Sequence, residues 1–225
     1  MAEQILTEIT GTETALSYKI DGVDFKTFSV YVSKSSGFVD ALSMKEPQKI
    51  IWLGEHGEVI DLATPRYNAR EITLECFIVA SNKYDFLAKV KTFLAAFYKP
   101  DLRKLELIIS SKPLIYMVYT PSALEVEKRW SDSQMIGTFK LSLREPQPIK
   151  RLLKITGTSA SIAFTSVNPI NIYWGDGSKL LDAYGTSQTK THTYATSGTY
   201  YILITGVIEE ISSFSTTADV VWSKY

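Results

Sequence analysis

Residues that carry chemistry are scarce in this chain. Its 225 residues include one cysteine, Cys76, and two histidines, His56 and His192. A single thiol excludes an internal disulfide and any cysteine-based metal framework. Cys76 sits in the strand-like run EITLECFIVA, where it reads as a small buried hydrophobe rather than a reactive thiol. No GxSxG, HExxH or phosphate-loop pattern is present. An excess of charge is also missing, since 24 basic residues stand against 24 acidic ones. That balance argues against a nucleic-acid footprint or attraction to an anionic membrane. No apolar run approaches the roughly 20 residues of a membrane-spanning helix, so no membrane insertion is expected. The start, MAEQILTEITGTE, lacks the basic head and apolar core of a secretory signal. The expectation is a soluble protein that stays in the compartment where it is made.

The one route to catalysis left open is a pair of carboxylates, Glu71 with Glu75 or Glu125 with Glu127, as in glycoside hydrolysis. On alternating strands, residues two or four apart line one wet face. The expectation is therefore no enzyme, no cofactor and no metal.

What is present is an ordinary globular composition, 45% hydrophobic and 21% charged, enough to bury a core. Most of the chain alternates with period two, as antiparallel strands with one wet face do. Phe28, Val30 and Val32 alternate with polar neighbours, as do Ile72, Leu74, Cys76 and Ile78. Leu105, Leu107 and Ile109 repeat the pattern, and so do Phe139, Leu141 and Leu143. One stretch departs from it. Phe86, Leu87, Val90, Phe93, Leu94 and Phe97 fall at helical spacing, which predicts one amphipathic helix over 83–98. Ser81 or Asn82 can cap its start, and Pro100 with Asp101 ends it.

The segment REPQPIKR holds Pro146 and Pro148, neither of which can donate to a central strand. A domain boundary is placed there, giving domains 1–148 and 149–225. Beyond it, alternation returns at Ile162 and Phe164, at Ile170, Ile172 and Trp174, and at Tyr200, Ile202 and Ile204. Residues 212–218 are ambiguous, and 220–222 read as a last edge strand. The fold class is mainly β: an N-terminal β-sandwich with one helix, then a small second β-sandwich.

Within the second domain INIYWGDGS leads to HTY and then GTYYILI. Trp174, Gly175, Asp176, Gly177 and Ser178 form one motif block, and His192, Thr193 and Tyr194 leading into Gly198, Thr199 and Tyr200 form a second, in order. Over residues 154–206 this resembles the polycystic-kidney-disease-type (PKD) repeat, an immunoglobulin-like sandwich. The resemblance implies structural roles for Trp174, Gly175, Asp176, Gly177, His192, Tyr194, Gly198 and Tyr200. The chain departs from the family where Trp174 meets Gly175 without an intervening aromatic, and where Val207 does not continue a plain final strand. Asp176 and His192 alone lack the third ligand a metal site needs. Of the tyrosines here, Tyr184 and Tyr201 are left unexplained by the motif, too few to claim a sugar site.

The first domain runs DGVDF, a strand ending YVSKSSG, KEPQKIIWLGEHGEVIDLA, REITLECFIVA, the helix KYDFLAKVKTFLAAFY, and LRKLELIISSKPLIYMVY. This order resembles the N-terminal domain of phage distal tail proteins. The resemblance implies a hub subunit of a phage or prophage tail, assembled in a ring, often hexameric, that joins the tail tube to the tip or receptor-binding apparatus. Its implied partners are other copies of itself and the tube, tape-measure and tip proteins. A host surface glycan or protein is the implied partner of the outward second domain. The implied location is the virion tail, after synthesis in the bacterial host cytoplasm. Trp52 and Leu53, or Tyr116, Tyr119 and Trp130, are candidates for ring contacts, although a buried role within the subunit suits each aromatic as well. The alternative is a cell-surface carbohydrate- or protein-binding adhesion module.

Overall fold

In a computed structural model, residues 16–109, 112–131 and 134–224 are described. The protein is mainly β and falls into two compact units. The first takes the described residues up to Ser36 together with Ile72–Leu143. The second takes Gly37–Glu71 together with the described residues from Arg144 onward. The excursion Gly37–Glu71 lies within the first domain of the sequence reading, and here it is grouped with the C-terminal strands.

In the first unit β1 (Ser17–Ile20), β2 (Val23–Asp24), β3 (Val30–Ser36), and, after the excursion, β6 (Arg70–Ala80), β7 (Arg103–Ile109), β8 (Lys112–Val118), β9 (Val126–Trp130) and β10 (Met135–Glu145) form two four-stranded sheets. Their orders are β2-β1-β7-β8 and β3-β6-β10-β9. The β1–β2 hairpin turns on Asp21 and Gly22, both at positive φ (49° and 84°), as a two-residue loop requires. Alternation holds along β6 and β10: Ile72, Leu74, Cys76 and Ile78 are buried, as are Phe139, Leu141 and Leu143. The expected strand from Phe28 is corrected. The Asp24 carboxylate accepts the Lys26 amide at 2.8 Å, which winds Phe25–Phe28 into a 3-10 turn, and Ser29 reverses at φ 58°. The strand begins at Val30.

Helix α1 (Lys83–Phe97) forms where the spacing placed it. Asn82 caps it by accepting the Asp85 amide at 2.9 Å, while Asp85 accepts the Ser81 amide in return. Phe86, Phe93 and Phe97 are its buried face. Phe93 meets Phe139 of β10 and Phe25 of the 3-10 turn, with ring centroids 5.6 and 5.2 Å apart. Gly137 lets the helix approach β10: a Cβ there would lie 2.6 Å from the Phe86 ring.

In the second unit β11 (Lys150–Tyr173) and β12 (Lys179–Gly206) are far longer than ordinary strands. A straight 24-residue strand would reach roughly 80 Å, and the register shows that both bend instead. Lys150 to Gly157 pair with Thr205 to Gly198, Ser159 to Phe164 pair with Thr193 to Gln188, and Ile170 faces both Ala183 and Gly206. Thr205 therefore has Lys150 on one side and Asn171 on the other, so the end of β12 runs between the two ends of β11. β13 (Ile211–Thr216) and β14 (Asp219–Trp222) pair with the middle and start of β11. The ambiguous stretch after Ser212 thus lies largely in β13. Ile162, Phe164, Ile170, Ile172, Trp174, Tyr194, Ile202 and Ile204 belong to one buried cluster.

The excursion is an arm. At its root Met44 bridges Tyr67, the Lys45 amide donates to the Arg66 carbonyl at 2.8 Å, and the Asn68 amide donates to the Ser43 carbonyl at 2.9 Å. Farther out, β4 (Lys49–Ile50) and β5 (Val59–Ile60) pair antiparallel. Between β10 and β11, Pro148 is buried, and the Gln147 side-chain oxygen accepts from Asn171 at 3.0 Å and from Thr205 at 2.5 Å.

Candidate functional site

The motif residues converge at the turn between β11 and β12. The Trp174 amide donates to the Ser178 carbonyl at 3.0 Å and closes the turn. Inside it, Asp176 Oδ1 accepts the Ser178 amide at 2.9 Å and the Ser178 hydroxyl at 2.5 Å. Asp176 Oδ2 lies 2.8 Å from His192 Nε2. Burial pushes the Asp176 carboxyl up, but the hydrogen bonds from Ser178 and His192 outweigh it and hold it down at about 2. Gly175 has φ 93°, and a Cβ there would lie 2.5 Å from the Tyr201 carbonyl oxygen, so only glycine fits. Gly177, at φ 97°, has open space around it.

An aromatic ladder extends from this turn. The Trp174 and His192 rings stack at 5.0 Å, His192 meets Tyr194 edge-on at 4.7 Å, and Tyr194 stacks on Tyr200 at 3.8 Å. The Tyr194 hydroxyl donates to the Trp174 carbonyl at 2.9 Å, and Tyr200 donates to the Thr196 carbonyl at 2.8 Å. Gly198 lies beside the Tyr200 ring, where a Cβ would sit at ordinary contact, 3.4 Å away. Burial, with Asp176 nearby, raises the Tyr194 phenol to about 12.

Serine, histidine and aspartate in contact invite comparison with a hydrolytic triad, and the geometry differs. A triad sets the carboxylate on one ring nitrogen and the serine on the other. Here Asp176 and Ser178 both approach Nε2, and the serine hydroxyl donates to Asp176. This arrangement locks a turn.

The carboxylates Glu75, Glu125 and Glu127 line one open trough on the outer face of the β3-β6-β10-β9 sheet, with Ser33, Ser142 and Lys140. Glu125 and Glu127 are exposed, and Glu75 faces Lys34 at 3.7 Å. Among the described residues no group of three or more His, Cys, Asp or Glu side chains is placed to hold a metal ion. No helix among them is long and apolar enough to cross a membrane.

The candidate contact residues separate. Tyr116 is fully enclosed on β8. Tyr119 and Trp130 are partly exposed, and Trp130 packs edge-on against Phe86 at 5.7 Å. Trp52 and Leu53 at the arm tip are exposed, and so are Ile50, Ile51, Val59, Ile60 and Leu62.

The sequence reading overlooked a buried ionic cluster in the second unit. Glu145 takes Arg70 Nε on one carboxylate oxygen and Lys150 Nζ on the other. Arg70 also donates through Nη1 to the Gly37 and Phe38 carbonyls at 3.1 and 3.0 Å. Burial raises the Glu145 carboxyl and brings the Lys150 ammonium down to about 8. Glu145 and Lys150, the charges on either side of the two prolines of REPQPIKR, are both buried. Parity carried the signal: Arg70 continues the inward positions of Ile72 and Leu74, and Glu145 those of Leu141 and Leu143.

No family model matches the chain. No curated protein matches it either. Among solved structures, it is similar to the Dit (gp 19.1) protein of SPP1, described as a paradigm of the hub adsorption apparatus in phages that infect Gram-positive bacteria. The TM-score is 0.44, with 13% identity, 84% of this chain covered and 98% of that one.

Proposed function

We infer that this chain is a structural, non-catalytic component of a phage or prophage tail: a distal-tail or baseplate hub subunit that assembles into a ring. In this reading the ring, of about six copies, joins the tail tube to the tip or receptor-binding apparatus. The first unit supplies the ring wall. The C-terminal strands form a PKD-like sandwich that faces outward, toward a host surface glycan or protein.

The observation that carries this reading is the arm. Its hairpin exposes Ile50, Ile51, Trp52, Leu53, Val59, Ile60 and Leu62 together. Exposed apolar residues gathered on one hairpin mark an interaction site. Its root is braced, since Arg66 is ion-paired to Glu210 and Arg70 is held in the buried cluster. A firmly rooted arm with an uncovered apolar end is built to reach another molecule. The order of the first unit, a DGVDF hairpin, a strand, the REI strand, one helix and a returning strand, adds support from the distal-tail resemblance.

The test is light scattering on a sizing column with negative-stain imaging of the purified full-length protein. Closed rings of about six subunits are expected. A monomer at every concentration, alone and with its tube and tip partners added, overturns the ring reading and turns attention to a binding module.

A further inference from the structure

Helix α1 buries three phenylalanines but carries a second stripe on its outer side. Tyr84 is 83% exposed, Leu87 47% and Tyr98 57%. Ala88, Lys91 and Ala95 are exposed as well. These positions recur at three or four residues and so share one side of the helix, over about 21 Å. The stripe and the arm are two uncovered apolar elements among the described residues.

Their charges are opposite. Residues 83–99 hold four lysines against Asp85 alone, a net +3. Residues 46–61 hold Glu46, Glu55, Glu58 and Asp61 against Lys49 alone, with histidine neutral, a net −3. Local pairing leaves the difference in place: Asp85 is taken by Lys89 at 3.0 Å, and Lys49 by Glu46 at 2.9 Å. Lys83, Lys91 and Glu55 remain exposed. In a chain of zero net charge, acid is gathered on one uncovered apolar element and base on the other.

We propose that the arm tip of one copy docks on the outer face of α1 of a second copy. Trp52 and Leu53 cover the stripe of Tyr84, Leu87 and Tyr98, while Glu55 and Glu58 face Lys91 and its neighbouring lysines. Two different patches of one chain that complement each other make a heterologous contact, which closes into a ring when the rotation allows. The opposite charges steer the encounter and set its register. This docking rests on the ring reading and names the surfaces that make the ring.

The experiment uses two full-length variants, Leu53→Cys and Leu87→Cys, mixed under mild oxidation. Native Cys76 does not interfere, being buried with its thiol pushed up to about 12. Mixed-disulfide dimer is expected to exceed that from either variant alone by on the order of ten-fold, because docking raises the local thiol concentration. Lys91→Glu and Glu55→Lys should each weaken assembly by about ten-fold, and the two together should restore it.

Closed rings that give no mixed disulfide and no restoration overturn this docking while the ring reading stands, and assign the two faces to other tail proteins. A monomer under every condition removes the ring reading and the docking with it. A disulfide closing within one chain of the double Leu53→Cys, Leu87→Cys variant overturns the assignment to a second copy.

Discussion

Arg70 donates through Nε to Glu145 at 3.2 Å, across 75 positions of sequence, and the two side chains are 6% and 1% exposed. Lys150, fully buried, closes on the other carboxylate oxygen. Arg70 also binds the carbonyls of Gly37 and Phe38, so it ties both roots of the arm to the Glu145 carboxylate. Charges taken out of water are costly unless paired and hydrogen-bonded.

Replacing Glu145 by glutamine removes the buried carboxylate that Arg70 and Lys150 both pair with. Glu145→Gln is expected to lose about 3–5 kcal/mol, as breaking a buried ion pair does, measured by urea unfolding. A loss under about 1 kcal/mol would mean that water reaches the cluster and screens its charges.

Burial brings Lys150 from 10.5 down to about 8, against the pull of Glu145. Between those values the unfolded chain holds more protons than the folded one, so Lys150 makes stability rise as pH climbs from about 8 toward about 10.5. Lys150→Met should flatten that part of the profile. A profile identical in the variant would refute the assignment.

Asp176 shows the opposite case at acid pH. Its folded value of about 2 lies below the ordinary 3.8, so its contribution is full above the unfolded value and is lost as pH falls through about 2. Asp176→Ala should cost about 1–2 kcal/mol near neutral pH, through the lost hydrogen bonds to Ser178 and His192, discounted for solvent access. The matching readout is a Tyr194 and Tyr200 near-UV signal that loosens with the turn.

Gly175 and Gly177 share a positive φ and differ in surroundings. Gly175→Ala adds a collision with the Tyr201 backbone to the conformational strain and should cost about 3 kcal/mol. Gly177→Ala meets open space and should cost about 1 kcal/mol from strain alone. Equal melting temperatures for the two would contradict the close approach.

Cys76, buried in β6, has its thiol raised to about 12 by desolvation. It should resist a disulfide reagent in the native protein at neutral pH and react at once in denaturant. Rapid native labelling would place it at the surface.

Much of the fold was legible because period and parity are local. The Phe86, Phe93 and Phe97 spacing gave α1 within a residue at each end, and alternation gave the buried faces of β6 and β10. Phe28 was misplaced because one side-chain cap at Asp24 overrides alternation there. The Asp176 turn was legible as a block of residue types, and its pairing with His192 waited on the fold.

The sequence alone determined which residues face inward and where the chain must turn, since side-chain period and glycine or proline geometry depend on near neighbours. The tertiary structure decided what those inward residues meet. Nothing local places Arg70, Glu145 and Lys150 around one carboxylate, bends β11 so that Ile170 faces two stretches of β12, or leaves the apolar hairpin at Trp52 uncovered. Those outcomes depend on contacts between distant segments, whose closure is settled only when the whole core packs.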